Sequence, residues 1–259
     1  MLNAVGAVLL FVTFFLATLA CLEAGRRLGR RALAGDQATH PAGLGTVETV
    51  AFGLLGLLLA FTFSGAASRF DLRRAQIVEE ANDIGTAWLR LDLLPPAAQP
   101  KLRDEFRRYV DSRLATYLKI SESGFEAAYV EFDRSVGLQN AIWADAVAAC
   151  REAPPQASIV LLPALNAMID ITTTRKAASE MHPPRIIYIV LGMISLVCSL
   201  LVGYEMGAGS ARSWLHVAGF ALILAFTLYV ILDFEYPRIG LIRIEAFDRY
   251  LVDVRNAMK

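Results

Sequence analysis

Glu79, Glu80 and Asp83 cluster in "RRAQIVEEANDIG", and Glu79 and Asp83 are i,i+4 neighbours on one face of a helix. Carboxylates so placed can hold a cation or draw one into a vestibule. The alternative is a solvated face whose charges pair with nearby arginines such as Arg73. Just upstream, Gly53, Leu57, Phe61, Ser64 and Ser68 recur at steps of four, four, three and four, so they share one helical stripe. That stripe is apolar and bulky in its middle, then hydroxylic, and it reaches Arg69. A ring of such helices makes a hydrophobic constriction opening to a polar vestibule, and constrictions of this kind gate ions by dewetting. The plainer alternative packs Leu57, Phe61 and Phe63 against neighbouring spans or lipid, with Gly65-Ala66-Ala67 letting helices approach closely.

Other chemistry is scarce. His40, His182 and His216 are far apart, and no H-E-x-x-H or Cys/His spacing joins them. There is no G-x-S-x-G, no phosphate-cradling glycine loop and no kinase signature. The expectation is a protein that is not an enzyme, with no cofactor and no metal site. Cys21, Cys150 and Cys198 are too scattered for a disulfide framework. The 25 basic and 25 acidic residues cancel, so no nucleic acid partner is expected.

The elements that must carry the stripe are membrane-grade. Of 259 residues, 56% are hydrophobic and mean hydropathy is +0.46, too apolar for an ordinary soluble domain. Met1–Leu22, Thr49–Ser68, Ile186–Tyr204 and Ser213–Leu232 contain no charged residue. Each is long enough to cross a hydrocarbon core of ~30 Å as a helix, which takes ~20 residues. The first block lacks a basic n-region and an A-x-A-like site, so it is expected to be retained as a span rather than cleaved. The expected fold is an all-α integral membrane protein with four transmembrane helices in two pairs and a helical extramembrane domain between them. Its parts are a first helix pair over 1–68, the helical domain over 69–184, a second pair over 185–233 and an amphipathic C-terminal tail over 234–259.

Within the polar region the apolar residues recur at helical spacing. Ile77, Ala81, Ile84, Trp88 and Leu91 form one stripe; Leu102, Phe106, Tyr109, Leu114 and Tyr117 form the next. A third runs through Phe125, Tyr129, Phe132, Val136, Ile142, Trp143 and Val147, and a fourth through Ile159, Leu162, Leu165 and Ile169. Breaks are expected at "LLPPAAQP", "ISESG" and "EAPPQ", with a helix starting about Ser121. Pro183-Pro184 suits the entry to the third span. Gly203 and Gly207 form a G-x-x-x-G, but at the end of a span, where it is expected to contribute little to packing.

"LAFTFSGAASRF", Leu59 to Phe70, resembles the pore-neck helix of bestrophins, in which a Phe is followed eight residues later by an Arg and then an aromatic. Phe61 matches that neck phenylalanine, and Arg69 and Phe70 match the pair. The longer run "GLLLAFTFSGAASRFDLRRAQIVEEANDIGTAWLRLDLLP" and "LDFEYPRIGLIRI" after the last span are similar to the bacterial bestrophin-like membrane proteins. The resemblance implies an ion channel that is a homo-oligomer, pentameric in bestrophins, with the second span lining the neck and the helical region around a cytoplasmic vestibule. Counting back by fours from Phe61, it implies neck positions at Leu57 and Gly53. Gly53 departs from the bulky residue that bestrophins place there, and no equivalent of their acidic calcium clasp is found. The partners it implies are inorganic ions, the lipid bilayer and further copies of the chain. A reading of another class is a non-conducting membrane sensor or scaffold, in which the insert binds a partner and the spans are anchors.

For orientation, Arg69, Arg73, Arg74, Arg175, Lys176, Arg185, Arg238 and Arg243 outnumber Arg26, Arg27, Arg30, Arg31 and Arg212 on the opposite side. The positive-inside rule then puts the helical domain and both termini in the cytoplasm of a bacterial inner membrane. Reporter fusions after Arg31 and after Arg151 check this. A cytoplasmic reporter is expected to be active only after Arg151, and an active periplasmic reporter there reverses the topology.

Overall fold

The computed structural model describes residues 4–34, 44–123, 125–208, 213–238 and 240–259. His40, Arg212 and residues 35–43 of the connector between the first two spans lie outside them. Among the described residues the chain is helical and has no strand. The long helices are α1 (Ala4–Leu33), α2 (Leu44–Arg90), α3 (Gln99–Ser123), α4 (Phe125–Glu152), α5 (Pro155–Glu180), α6 (Arg185–Glu205) and α7 (Trp214–Glu235), followed by the short α8 (Arg249–Ala257). Among the described residues, four helical stretches are long and apolar enough to cross a membrane: Gly6–Leu33, Gly45–Leu93, Pro155–Glu205 and Trp214–Glu235.

Two compact units form. One comprises 1–68 with 182–236, and the other 69–181 with 237–259. The 47 residues of α2 contribute to both as one helix, about 70 Å long at 1.5 Å per residue. No Pro interrupts it at Ser68-Arg69, and the helix runs on through that point.

In the first unit, α1 and α6 approach at backbone distance. A Cβ on Gly25 would collide with the Leu200 carbonyl oxygen, and one on Gly29 with the carbonyl oxygen of Tyr204. A Cβ on Gly203 would collide with the Leu22 carbonyl, and one on Gly207 would press on the Gly29-Arg30 backbone at 2.8–2.9 Å. Gly203 and Gly207 thus meet a second G-x-x-x-G, Gly25 to Gly29. The pairing corrects the expectation that the first motif contributes little, because helices of small residues gain dispersion from close backbones where lipid supplies no hydrophobic drive. Beside this seam, Phe11 meets Tyr229 edge-on at 5.9 Å. The inner face of α2 packs Leu55 and Ala66 among Leu191, Cys198, Leu224 and Ile231. Hydroxyls in these helices bond back to carbonyls one turn earlier: Thr18 to Phe14, Thr62 to Leu58, Ser195 to Leu191, Ser199 to Ser195 and Thr227 to Ile223. That satisfies them without water. Outward lie Leu9, Leu16, Ile189, Val197 and Ile223, each more than half exposed, a surface suited to lipid and not to water.

The second unit is a helical bundle around Ile84, Leu91, Leu102, Phe106, Tyr109, Ile142, Leu161, Leu165 and Met168, all fully buried or nearly so. The first two expected stripes face this core. The third does so only in its later part, where Ile142 is buried and Trp143 packs on the core; Tyr129 is 52% and Val136 37% exposed, and α4 buries Ala128, Ser135, Leu138 and Gln139 there instead. Small and polar residues go inward because α3 and α4 run close, with the Ser112 and Ser135 hydroxyls 2.9 Å apart and both bonded to the Glu131 carbonyl. In α5, Ile159 is likewise outside, and Ala157, Leu161, Ala164 and Leu165 are inside. Pro163 lies within α5, and Arg90 donates to the Val160 carbonyl in the turn that Pro163 loosens. Where a helix start was expected at Ser121, α3 continues through Ser123 and α4 begins at Phe125. The tail docks on α3: Arg255 bonds Asp111 at 2.7 and 3.1 Å, Arg107 donates to the Met258 carbonyl at 3.0 Å, and Leu251 is fully buried.

Gly25→Leu or Gly203→Leu is expected to cost about 3 kcal/mol or to prevent folding, through overpacking of the α1–α6 seam. Gly56→Ala, where a Cβ meets nothing within 4 Å, is expected to stay within about 0.5 kcal/mol. Thermal melts of the detergent-solubilised chain compare them, and equal melting of all three would show that the seam is not close-packed.

Candidate functional site

The outer face of α2 is set by which residues the inner face takes. Leu55 and Ala66 are buried, Phe52 meets Phe220 edge-on at 6.4 Å, and Phe63 meets Phe234 edge-on at 5.6 Å. With those positions facing the chain's own helices, the helical repeat turns Gly53, Leu57, Phe61, Ser64 and Ser68 the other way. All of them are exposed, Leu57 at 53% and Phe61 at 68%, and a Cβ on Gly53 would meet nothing within 4 Å. Of the packing alternative, Phe63 and Ala66 do pack against neighbouring helices, whereas Leu57 and Phe61 are more than half exposed. Arg69 is half-buried where the stripe ends. One helix therefore presents an apolar band, then hydroxyls, on an exposed face.

The three acidic residues separate. Glu79 is exposed and Asp83 half-buried; partial burial and the Glu79 charge raise the Asp83 carboxyl above the usual carboxylate range. Glu80 is fully buried, so it does not lie on a solvated face. Its Oε1 accepts from Arg113 Nε at 2.6 Å, and its Oε2 accepts from the Tyr117 hydroxyl at 2.9 Å and from Arg175. Arg73, offered by the sequence as a partner for the acidic face, donates instead to the Ala178 and Met181 carbonyls at 3.0 Å, capping the end of α5.

Around Tyr117 the cluster widens. The Arg113, Arg175 and Arg238 guanidiniums lie 4.9, 4.1 and 4.9 Å from its ring centre. Arg238 forks onto Asp248 at 2.9 and 3.0 Å. Burial pushes the Tyr117 hydroxyl up to about 12, and burial with the neighbouring Arg238 charge draws Arg175 down to about 9. None of Arg113, Tyr117, Arg175, Arg238 or Asp248 was singled out as one site by the sequence, because partners so far apart in the chain leave no local spacing to read. The one signal was the "YPR" of the resembling segment after the last span, which contains Arg238. In the first unit, His182 Nδ1 lies 3.2 Å from Glu235 and its ring stacks on Tyr236 at 4.7 Å. No group of three or more His, Cys, Asp or Glu among the described residues is placed to hold a metal ion.

Glu80→Gln is expected to destabilise the protein by about 3 kcal/mol or more, since it leaves two buried guanidiniums short of a counter-charge. Glu79→Gln, on the exposed face, is expected to stay within about 0.5 kcal/mol. Chemical denaturation of the two variants beside the parent distinguishes a structural carboxylate from a surface one.

A family model, the Bestrophin-like domain, matches residues 12–246. No curated protein and no solved structure matches the chain.

Proposed function

This chain belongs to the Bestrophin-like family, and on that premise we propose that it is the subunit of an ion channel in a bacterial inner membrane. Copies of the chain form a ring, a pentamer by the bestrophin likeness, with the α2 stripe toward the axis. Phe61 and Leu57 form the hydrophobic constriction, Gly53 widens it at one end, and Ser64, Ser68 and Arg69 make the polar step at the other. The four apolar helices are two transmembrane pairs, and 69–184 is a helical extramembrane domain that lines a cytoplasmic vestibule, with Glu79 and Asp83 as its acidic surface. Both termini are cytoplasmic.

The observation that carries this reading is the exposure of the stripe. A face that holds Phe61 at 68% exposed, next to a face that packs Phe63 and Ala66, is available to line a shared axis. Water entering such a band gains few hydrogen bonds, so the constriction dewets and conducts only when it widens. The Gly53 position has room for a side chain, which makes the constriction adjustable at that ring without disturbing the fold.

Purified protein in planar bilayers is expected to give unitary currents. Phe61→Ala should raise open probability or conductance by removing the largest apolar group of the band. Gly53→Val should melt like the parent yet lower conductance by narrowing its ring. A monomer in detergent that passes no current under any ion gradient would overturn the proposal.

A further inference from the structure

One buried cluster of the second unit pairs three guanidiniums with two carboxylates. Among the described residues, Arg113 and Arg175 pair with Glu80 and Arg238 pairs with Asp248, and all five contribute to one cluster around Tyr117. Arg113 and Glu80 are 2% and 0% exposed, and the Arg175 and Arg238 side chains 9% and 8%. Every carboxylate oxygen is already engaged. Glu80 Oε1 holds Arg113 Nε, Glu80 Oε2 holds Tyr117 and Arg175, and both oxygens of Asp248 hold Arg238. Arg113 Nη2 donates to the Tyr117 hydroxyl, but Arg113 Nη1 is buried and has no partner among the described residues.

A buried N–H of a charged group left unmet costs more than an ordinary hydrogen bond, and an uncompensated buried charge costs more still. Tyr117 does not supply the missing negative charge, because burial keeps its hydroxyl protonated. Burial first, and the Arg238 charge second, lower the basicity of Arg175. A water molecule beside Nη1 satisfies the hydrogen bond and leaves the charge. A doubly charged sulfate or phosphate overshoots it.

We propose that a small monovalent anion of the halide class binds against Arg113 Nη1 and closes the charge balance of this cluster. The anion is a structural ligand that locks α2, α3, α5 and the C-terminal tail together. The site lies wholly within the second unit and does not require that the protein conduct.

The test uses the full chain in detergent, with chloride exchanged for gluconate at constant pH and ionic strength. The melting temperature is expected to fall by about 5 °C in gluconate and to recover saturably as chloride or bromide is returned. Arg175→Gln, which makes guanidiniums and carboxylates equal in number, is expected to melt at the same temperature in both salts. Crystals grown in bromide are expected to show an anomalous peak within hydrogen-bond reach of Arg113 Nη1, which decides the matter if the variant fails to fold. The proposal is overturned by a parent whose melting ignores chloride, by stabilisation from sulfate but not halide, by full chloride dependence in Arg175→Gln, or by bromide maps without that peak.

Discussion

A carboxylate cannot be left alone inside a helical bundle, and Glu80 is the carboxylate on which the second unit is built. Fully buried, it requires cations and donors with good geometry, and it takes them from Arg113 and Tyr117 on α3 and from Arg175 on α5. Tyr117 then passes the demand outward, since its ring draws in Arg238, which in turn fixes Asp248 at the start of the tail. Residues of α2, α3, α5 and the C-terminal segment are thereby held to one arrangement. Apolar packing alone would tolerate several registers of these helices; a buried charge with few available partners tolerates fewer.

The first unit solves a different problem with different means. Within lipid, apolar side chains gain nothing by meeting one another, so helix association rests on close backbone approach and on hydroxyls satisfied inside their own helix. Gly25 and Gly29 facing Gly203 and Gly207 supply the approach, and the back-bonded Thr and Ser residues of α1, α2, α6 and α7 supply the rest. The large apolar side chains are then free to point outward, which is the reverse of a water-soluble domain.

Between those two chemistries runs α2. Its inner face packs on the chain's own helices, and its outer face, from Gly53 through Leu57 and Phe61 to Ser68, is exposed. Phe61 and Phe63 illustrate how fine the division is. They are two positions apart, about 200° around the helix, and one is mostly exposed while the other packs edge-on against Phe234. A substitution at one changes an open face, and at the other a ring contact within the chain.

What the sequence by itself determined is what depends on local pattern and on apolar length. The four charge-free blocks, the Pro-marked breaks near Pro95 and Pro154, and the helical stripes through Ile77 to Leu91 and Leu102 to Tyr117 were all legible, because each is a property of neighbouring residues. So was the shared face of Gly53, Leu57, Phe61, Ser64 and Ser68, since a helix fixes which side chains lie in line. Only the tertiary structure decided which faces are buried. It turned Tyr129 and Val136 outward in favour of Ala128 and Ser135, because the α3–α4 spacing, not hydrophobicity, sets what fits. It raised the Gly203–Gly207 motif to a packing seam by bringing Gly25 and Gly29 opposite. Above all it separated Glu80 from Glu79 and Asp83, adjacent in sequence and alike in chemistry, since the burial of a charge is decided by distant arginines that no local spacing reveals.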